Sequence, residues 1–329
     1  MSFVNSNWYI AMTFCFVFFV AGRQLGEVPG STRRTRRLTR LLLLAFALPS
    51  LLFPVAAAFD FFRLAPWYNT FRAVNRIELL SAVVAPFAGY ATYMGGVGRA
   101  GQRGGGRGAP RRQGATLKSV MKPLAFPLSL LIVSASFAKP LIRPMGKDTA
   151  FGDRWVGGIL MQSALSDSGP ASLATVMNTV NGYEGSEYDI CRRTYTDGAG
   201  TEFWHLARYA AEKGYRCEFL LAREGEDIPT PSVAYISPGA ASGGDGGRGV
   251  GVGSGGNAGG NVGLGAGAGA AAVAGAVAGN SYVALLENSG GKLTVGDPQR
   301  GMAELTYGEF MERYPYSGLV LAVSSRTPE

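Results

Sequence analysis

Histidine is almost missing from this chain. Its 329 residues include one, His205, and only three cysteines, Cys15, Cys191 and Cys217. So few thiols exclude a small disulfide-stapled scaffold. No His/Cys/Asp/Glu cluster has metal-ligand spacing, so no metal site is expected. Charged residues make up 16% of the chain, against roughly 25% in ordinary soluble proteins. Acids are nearly absent from the first 140 residues. There Glu27, Asp60 and Glu78 face 17 Lys or Arg, a local net charge of +14. Residues 141–329 hold 14 basic and 20 acidic residues, a net −6, and the two parts sum to +8. Basicity confined to one apolar part excludes a uniformly basic nucleic-acid binder. Despite 48 glycines there is no GxxxxGK[ST] phosphate loop, and nothing implies a cofactor.

The first 140 residues do contain long apolar runs. Four stretches, at about 3–22, 41–62, 77–97 and 120–138, each approach the roughly 20 residues a membrane-crossing helix needs. Pro49, Pro54, Pro86, Pro123 and Pro127 lie inside them, and kinks are expected there. Arg23, Arg33, Arg34, Arg36, Arg37 and Arg40 follow the first stretch, and Arg99, Arg103, Arg107, Arg111, Arg112 and Lys118 lie around the third-to-fourth connection. Positive charge collects on the cytoplasmic side. The expected topology therefore has the N-terminus outside, both basic loops inside, and everything after Ala138 outside. The first stretch lacks a basic leader and a small-x-small cleavage site, so an uncleaved helix is expected rather than a signal peptide. The bilayer is the expected partner of this region.

Residues 141–154 read as a polar linker, and 155–325 as a separate domain. Gly169–Val180 opens with Gly-Pro and carries Leu173, Val176, Met177 and Val180 at helical spacing. Glu202–Lys213 is a second helix, ended by Gly214. Strands are expected at 216–221, 232–236, 282–287, 292–295 and 318–323, which makes an α+β domain. Interrupting it is a segment, 239–279, with 18 Gly and 11 Ala. That composition cannot repay the entropy of ordering, so a flexible insertion is expected, with Ile236 and Tyr282 still able to lie on neighbouring strands.

Ser168, just ahead of the first helix, is placed where a nucleophile gains from the helix dipole and nearby N–H groups. A serine there is equally a common helix cap. Several blocks in order give it more weight. Gln162 stands ahead of Ser168-Gly169-Pro170-Ala171. Val180-Asn181-Gly182 closes the helix, and Gly200-Thr201 precedes the second. A strand runs Asn280-Ser281-Tyr282-Val283-Ala284-Leu285-Leu286. Asp297-Pro298-Gln299-Arg300-Gly301 forms a turn, and Leu305-Thr306-Tyr307-Gly308-Glu309-Phe310 follows it. Across about 155–325 this order resembles the papain-like cysteine peptidases of the C39 family. Those enzymes process double-glycine leader peptides and often sit at the front of bacteriocin-exporting transporters. The resemblance implies a papain-like fold, with the nucleophile position at Ser168, the general-base position at Ser281 (Asn280 if the register slips), the orienting acid at Asp297, and an oxyanion donor at Gln162.

The nucleophile position lacks the family's cysteine, and the base position lacks its histidine. A serine needs a base even more than a thiol does, and an orienting acid without an imidazole has nothing to orient. His205 lies within the second helix, and Cys191 and Cys217 match no catalytic block. Burial is expected for those cysteines, with a disulfide between them left open. The expectation is a non-catalytic, membrane-anchored pseudopeptidase in a bacterial inner (plasma) membrane. Its exported domain, periplasmic or extracellular, would bind other membrane-complex subunits or a peptide segment, and no nucleic acid. The alternative is a peptidase-like hydrolase using Ser168 as an atypical nucleophile.

Overall fold

A computed structural model describes residues 7–27, 32–59, 62–100, 117–135, 137, 142–145, 150–222, 228–236 and 281–325. The Gly/Ala-rich segment 239–279 and Arg103, Arg107, Arg111 and Arg112 lie outside the described residues. The chain divides into two compact units, Ser2–Pro144 and, with Met1, Met145–Glu329.

In the first unit, α1 (Asn7–Glu27) is followed by α2 (Arg33–Phe59) and the short α3 (Pro66–Ala73). A 3-10 helix (Ile77–Val84) then runs directly into α4 (Ala85–Ala100), and α5 (Leu117–Ala135) follows. Pro66 sits in the first turn of α3, where its missing N–H costs nothing, whereas Pro49 and Pro54 lie inside α2 and Pro123 and Pro127 inside α5. Among the described residues one helix, Asn7–Gly26, is long and apolar enough to cross a membrane. Ile77–Tyr93 and Leu124–Ala135 are shorter apolar stretches. Four spans were expected, so this one helix is what length and composition establish.

Side-chain contacts give the helices their directions. Gly22 of α1 lies against Pro86 and Gly26 against Tyr93, so α1 and α4 run the same way. Trp8 Nε1 donates to Ser134 Oγ at 3.4 Å, while the Phe19 and Phe126 rings meet at 4.9 Å, so α5 runs opposite to α1. Ala11, Cys15, Ala82, Ala85, Val133 and Phe137 form the shared core. Outside it, Phe14, Phe16, Val17, Leu42, Phe46, Leu128 and Leu131 are exposed. That is the reverse of a soluble bundle, whose outward faces are polar.

The second unit is α+β. A two-stranded hairpin, β1 (Trp155–Val156) and β2 (Ile159–Leu160), leads into α6 (Ser168–Asn181), α7 (Glu187–Arg193) and α8 (Phe203–Glu212). Six strands complete it: β3 (Tyr215–Leu221), β4 (Ser232–Ile236), β5 (Ser281–Ser289), β6 (Lys292–Asp297), β7 (Gly301–Thr306) and β8 (Tyr316–Ser325), with α9 (Tyr307–Arg313) before the last. They form one antiparallel sheet in the order β3-β8-β4-β5-β6-β7.

The central strands are buried on both faces, which is why β4 and the start of β5 read as unbroken apolar runs. One face receives α6 and α8. Phe203 of α8 stacks on Phe219 and Tyr282, each at 5.2 Å between ring centroids. Phe310 and Tyr314 cover the other face, packing with Val283, Leu285, Leu293 and Val295. The expected pairing of Ile236 with the β5 strand is present, with Ser281 as its partner and Tyr282 opposite Tyr235.

Candidate functional site

Ser168 is the first residue of α6 and only 4% exposed. The helix meets the sheet next to it: a Cβ on Gly169 would lie 3.1 Å from the Tyr282 ring and 3.2 Å from Leu206. Tyr282 is locked in turn, donating its hydroxyl to Thr201 O at 2.6 Å. The Gly-Pro and Gly-Thr blocks thus meet around one tyrosine, which the sequence reading had not singled out. Leu206, not His205, is the α8 residue against Gly169. His205 packs edge-on against Tyr195, ring centroids 5.0 Å apart.

Ser281 begins β5. The β5–β6 register pairs Ala284 with Gly296 and Leu285 with Val295, so Asp297 falls opposite Val283. A Cβ on Gly296 would strike Ile159, Ala284 and Thr175, so the Ala284–Gly296 face is the one covered by α6. By strand alternation Ser281, Val283 and Asp297 share the opposite face. The base and acid positions are therefore brought to one side of the sheet, while Gly169 at the head of α6 meets the other.

The Asp297 carboxylate is fully engaged there. Oδ1 accepts from the Gln299 backbone N–H at 2.8 Å, and Oδ2 accepts from the Tyr314 hydroxyl at 2.8 Å. Burial, followed by the Asp297 charge, pushes the Tyr314 phenol up, so it remains a donor. This joins β6 to the end of α9 and closes the Asp-Pro turn, where Gly301 supplies the positive φ of 91°. Tyr314→Phe should cost about 1.5–3 kcal/mol, the worth of a hydrogen bond to a charged group. Thermal unfolding of the full chain, with helix and strand content unchanged, would show it; an unaltered midpoint would remove Tyr314 from this role.

Gln162 lies beside that turn, its N–H donating to Pro298 O at 2.9 Å. Its Oε1 is buried and has no hydrogen-bond partner. Around it opens a cleft of about 490 Å³, lined by residues including Arg154, Met161, Leu165, Pro298 and Gln299. Leu165 is 82% exposed at its edge. Neither Ser168 nor Ser281 lines this cleft. Of the four positions the resemblance implies, Gln162 and the Asp297 turn come together, and the two serines stand apart from their cleft.

Two buried acids that the sequence reading did not single out hold the cleft's wall. Asp167 Oδ2 accepts from Ala164 N–H at 2.9 Å, and Glu187 Oε1 from Ser163 N–H at 2.9 Å. The Ser163 hydroxyl donates to Glu187 Oε2, and the Glu187 N–H donates to Asp153 Oδ1 at 2.6 Å. Both Asp167 and Glu187 are fully buried. Burial, then the Glu187 charge, pushes Asp167 up to about 8, and burial raises Glu187 as well. At neutral pH the pair therefore retains a proton. The signal available in sequence was Asp167, an acid directly ahead of a helix start.

The cysteines offer no nucleophile. Cys191 is buried beneath the acid pair, where burial and then the Asp167 charge push its thiol well up. Burial pushes Cys217 up to about 12. Both are free thiols, so the disulfide left open above is not formed. Among the described residues no group of His, Cys, Asp and Glu could hold a metal ion.

No protein-family model matches the chain, and neither does any curated protein. Solved structures do show a likeness. The peptidase domain of Streptococcus ComA, a bi-functional ABC transporter involved in a quorum-sensing pathway, aligns at 16% identity and a TM-score of 0.36, over 51% of this chain and 98% of that one. The peptidase domain of Streptococcus mutans ComA aligns at 14% identity and 0.31, with the same coverage. A double glycine motif protease from an AMS/PCAT transporter, in complex with the leader peptide, aligns at 16% and 0.31, over 51% of this chain and 91% of that one.

Proposed function

We propose that the chain is a membrane-anchored pseudopeptidase of the C39 type, a non-catalytic binding or scaffold subunit of a membrane complex that acts through an exported domain. The observation that carries this reading is the employment of Asp297. The acid that would orient an imidazole instead accepts the Tyr314 hydroxyl and its own turn's N–H. No imidazole stands at Ser281, and the sole histidine packs on Tyr195. The machinery that would activate a nucleophile has become a structural joint.

The directions of the helices support a four-span anchor. Successive spans must alternate, so the first and third run parallel and the fourth opposes the first, as α1, α4 and α5 do. With the arginines cytoplasmic, this topology puts residue 145 onward on the far side. The cleft beside Gln162, lined by the Arg154 side chain and edged by exposed Leu165, is suited to a peptide segment.

Purification from native membranes in mild detergent tests the reading. Stoichiometric partner proteins are expected, and a homogeneous protein with none would overturn it. The hydrolase alternative predicts labelling of Ser168 by a serine-directed covalent probe. No labelling above that of Ser168→Ala is expected, and clear labelling of the intact complex would replace our reading with the alternative.

A further inference from the structure

The helix α3 is built inside out for a soluble protein. Trp67 and Phe71, at i and i+4, form one face, and they are 62% and 41% exposed, as is Val74 just past the helix end, at 55%. Its buried residues are Tyr68, Asn69 and Arg72. Asn69 Nδ2 donates to the carbonyls of Arg63 and Ala65 at 2.8 and 3.0 Å, and the Arg72 guanidinium lies over the Tyr68 ring at 5.9 Å. Thr70, also exposed, turns its hydroxyl back to Pro66 O at 3.0 Å. Polar groups thus face inward or are satisfied internally, while large apolar groups face outward. Phe62 and Leu64, just ahead of the helix, are exposed too, and Phe62 stacks on Trp67 at 5.3 Å.

The position of this face in the unit identifies what covers it. Because α1 and α4 are parallel and α5 opposes them, the start of α1, the α2–α4 connection and the end of α5 share one end of the unit. That end holds Trp8, Tyr9, Phe62, Trp67, Tyr68 and Phe137. The opposite end holds Arg23, the Arg33–Arg40 group, Arg99 and Lys118. Aromatic rings gather at the first end, which holds Arg63, Arg72 and Arg76 as well, and the larger basic group lies at the other. This asymmetry matches the interfacial belt and the cytoplasmic charge of a membrane protein.

We infer that α3 is an interfacial helix, lying in the headgroup layer of the leaflet opposite the Arg33–Arg40 group, with Trp67 and Phe71, and Val74 at its end, turned into lipid. The inference rests on the membrane reading of this unit. An amphipathic helix of this kind sinks its apolar face about 5–10 Å into the headgroup and acyl boundary. It fixes the height of the unit in the bilayer, because Asn69 ties it to the loop that follows α2.

The test uses the full chain in phosphatidylcholine/phosphatidylglycerol vesicles, with bromine carried either high on the acyl chain or near the bilayer centre. Trp67→Phe and Trp8→Phe variants isolate each ring's share of the fluorescence by difference. The Trp67 share should be blue-shifted, and about twofold more quenched by the shallow bromines than by the deep ones, as a ring at the interface requires. A Trp67 share untouched by either label, with the Trp8 share quenched, overturns the inference and leaves the membrane reading standing. A blue-shifted but unquenched Trp67 means that protein covers the face and overturns it as well. No bromine quenching of either ring overturns the membrane reading itself.

Discussion

Raising the pH from about 5 to about 9 is expected to lower the stability of the Met145–Glu329 unit steeply, and Asp167→Asn to flatten that fall. In the unfolded chain both carboxyls titrate near their usual values of about 4. In the fold, burial and the neighbouring Glu187 charge lift Asp167 to about 8. Between those values the native state holds more protons than the unfolded state, so stability decreases as pH rises. The contribution is fully present below about pH 4, declines through the window, and levels off once Asp167 is ionised in both states. One linked proton corresponds to about 1.4 kcal/mol per pH unit, or about 3–6 °C in Tm for a unit of this size.

Asparagine reproduces the protonated form. Its Oδ1 can accept from Ala164 N–H, and its Nδ2 can donate to Glu187 with no proton to lose. Thermal unfolding of the full chain in detergent should find the two proteins alike near pH 5, with the variant increasingly more stable from there to about pH 8 and the difference constant beyond it. Parallel curves for the two would exclude Asp167 as the linked group. The consequence would extend to the cleft, because residues 161–165 line it and the acid pair fixes that loop through Ser163 and Ala164.

Much of the second unit's framework was legible in the sequence. The helix from Gly-Pro to Gly182 was marked at both ends, and Gly182 does adopt the left-handed cap at φ 74°. The five expected strands stand at or within a few residues of β3, β4, β5, β6 and β8. What went unread had weak local signals. β7 is an edge strand whose Met302, Glu304 and Thr306 are exposed, so it lacks an apolar run. The seven residues of α7 are too few to establish a helical period.

The blocks that carried the family resemblance turn out to be joints of the fold. Thr306 and Glu309 form a reciprocal capping box at the start of α9, and Pro298 holds Gln162. Partnerships such as Asp297 with Tyr314, or Asp167 with Glu187, depend on how the chain returns after a turn. No spacing rule encodes them. A spacing the sequence reading passed over, Gly22-x-x-x-Gly26, is a known signature of close helix packing in membranes. Its counterpart Gly89 could be found only in three dimensions.

That pair of helices supplies the other large expected effect: Gly89→Leu should prevent α1 and α4 from packing. A Cβ at Gly89 would lie 2.0 Å from Phe19 O, and one at Gly22 would lie 2.0 Å from Pro86 O. The obstructions are main-chain atoms, so no rotamer change relieves them. Even alanine must push the helices apart. Where lipid surrounds the helices, no hydrophobic drive holds them together, and close van der Waals approach is what separation removes. The cost of Gly89→Leu should therefore exceed the about 1–3 kcal/mol of ordinary core overpacking.

Gly26 provides the contrast that makes the claim specific. A Cβ there would meet the Tyr93 ring at 2.5 Å, which is a side chain. Tyr93→Ala removes that ring and should therefore relieve Gly26→Ala in large part, leaving the Tyr93 Cβ at 2.9 Å, whereas no side-chain truncation should rescue Gly89→Ala. Gly308→Ala, where nothing lies within 4 Å, serves as the neutral control. Thermal stability and protease resistance of each variant in detergent would decide the matter. If Gly89→Leu matched the control, the backbone contact between α1 and α4 would be refuted. If Tyr93→Ala failed to rescue Gly26→Ala, the placement of the Tyr93 ring against α1 would fail with it.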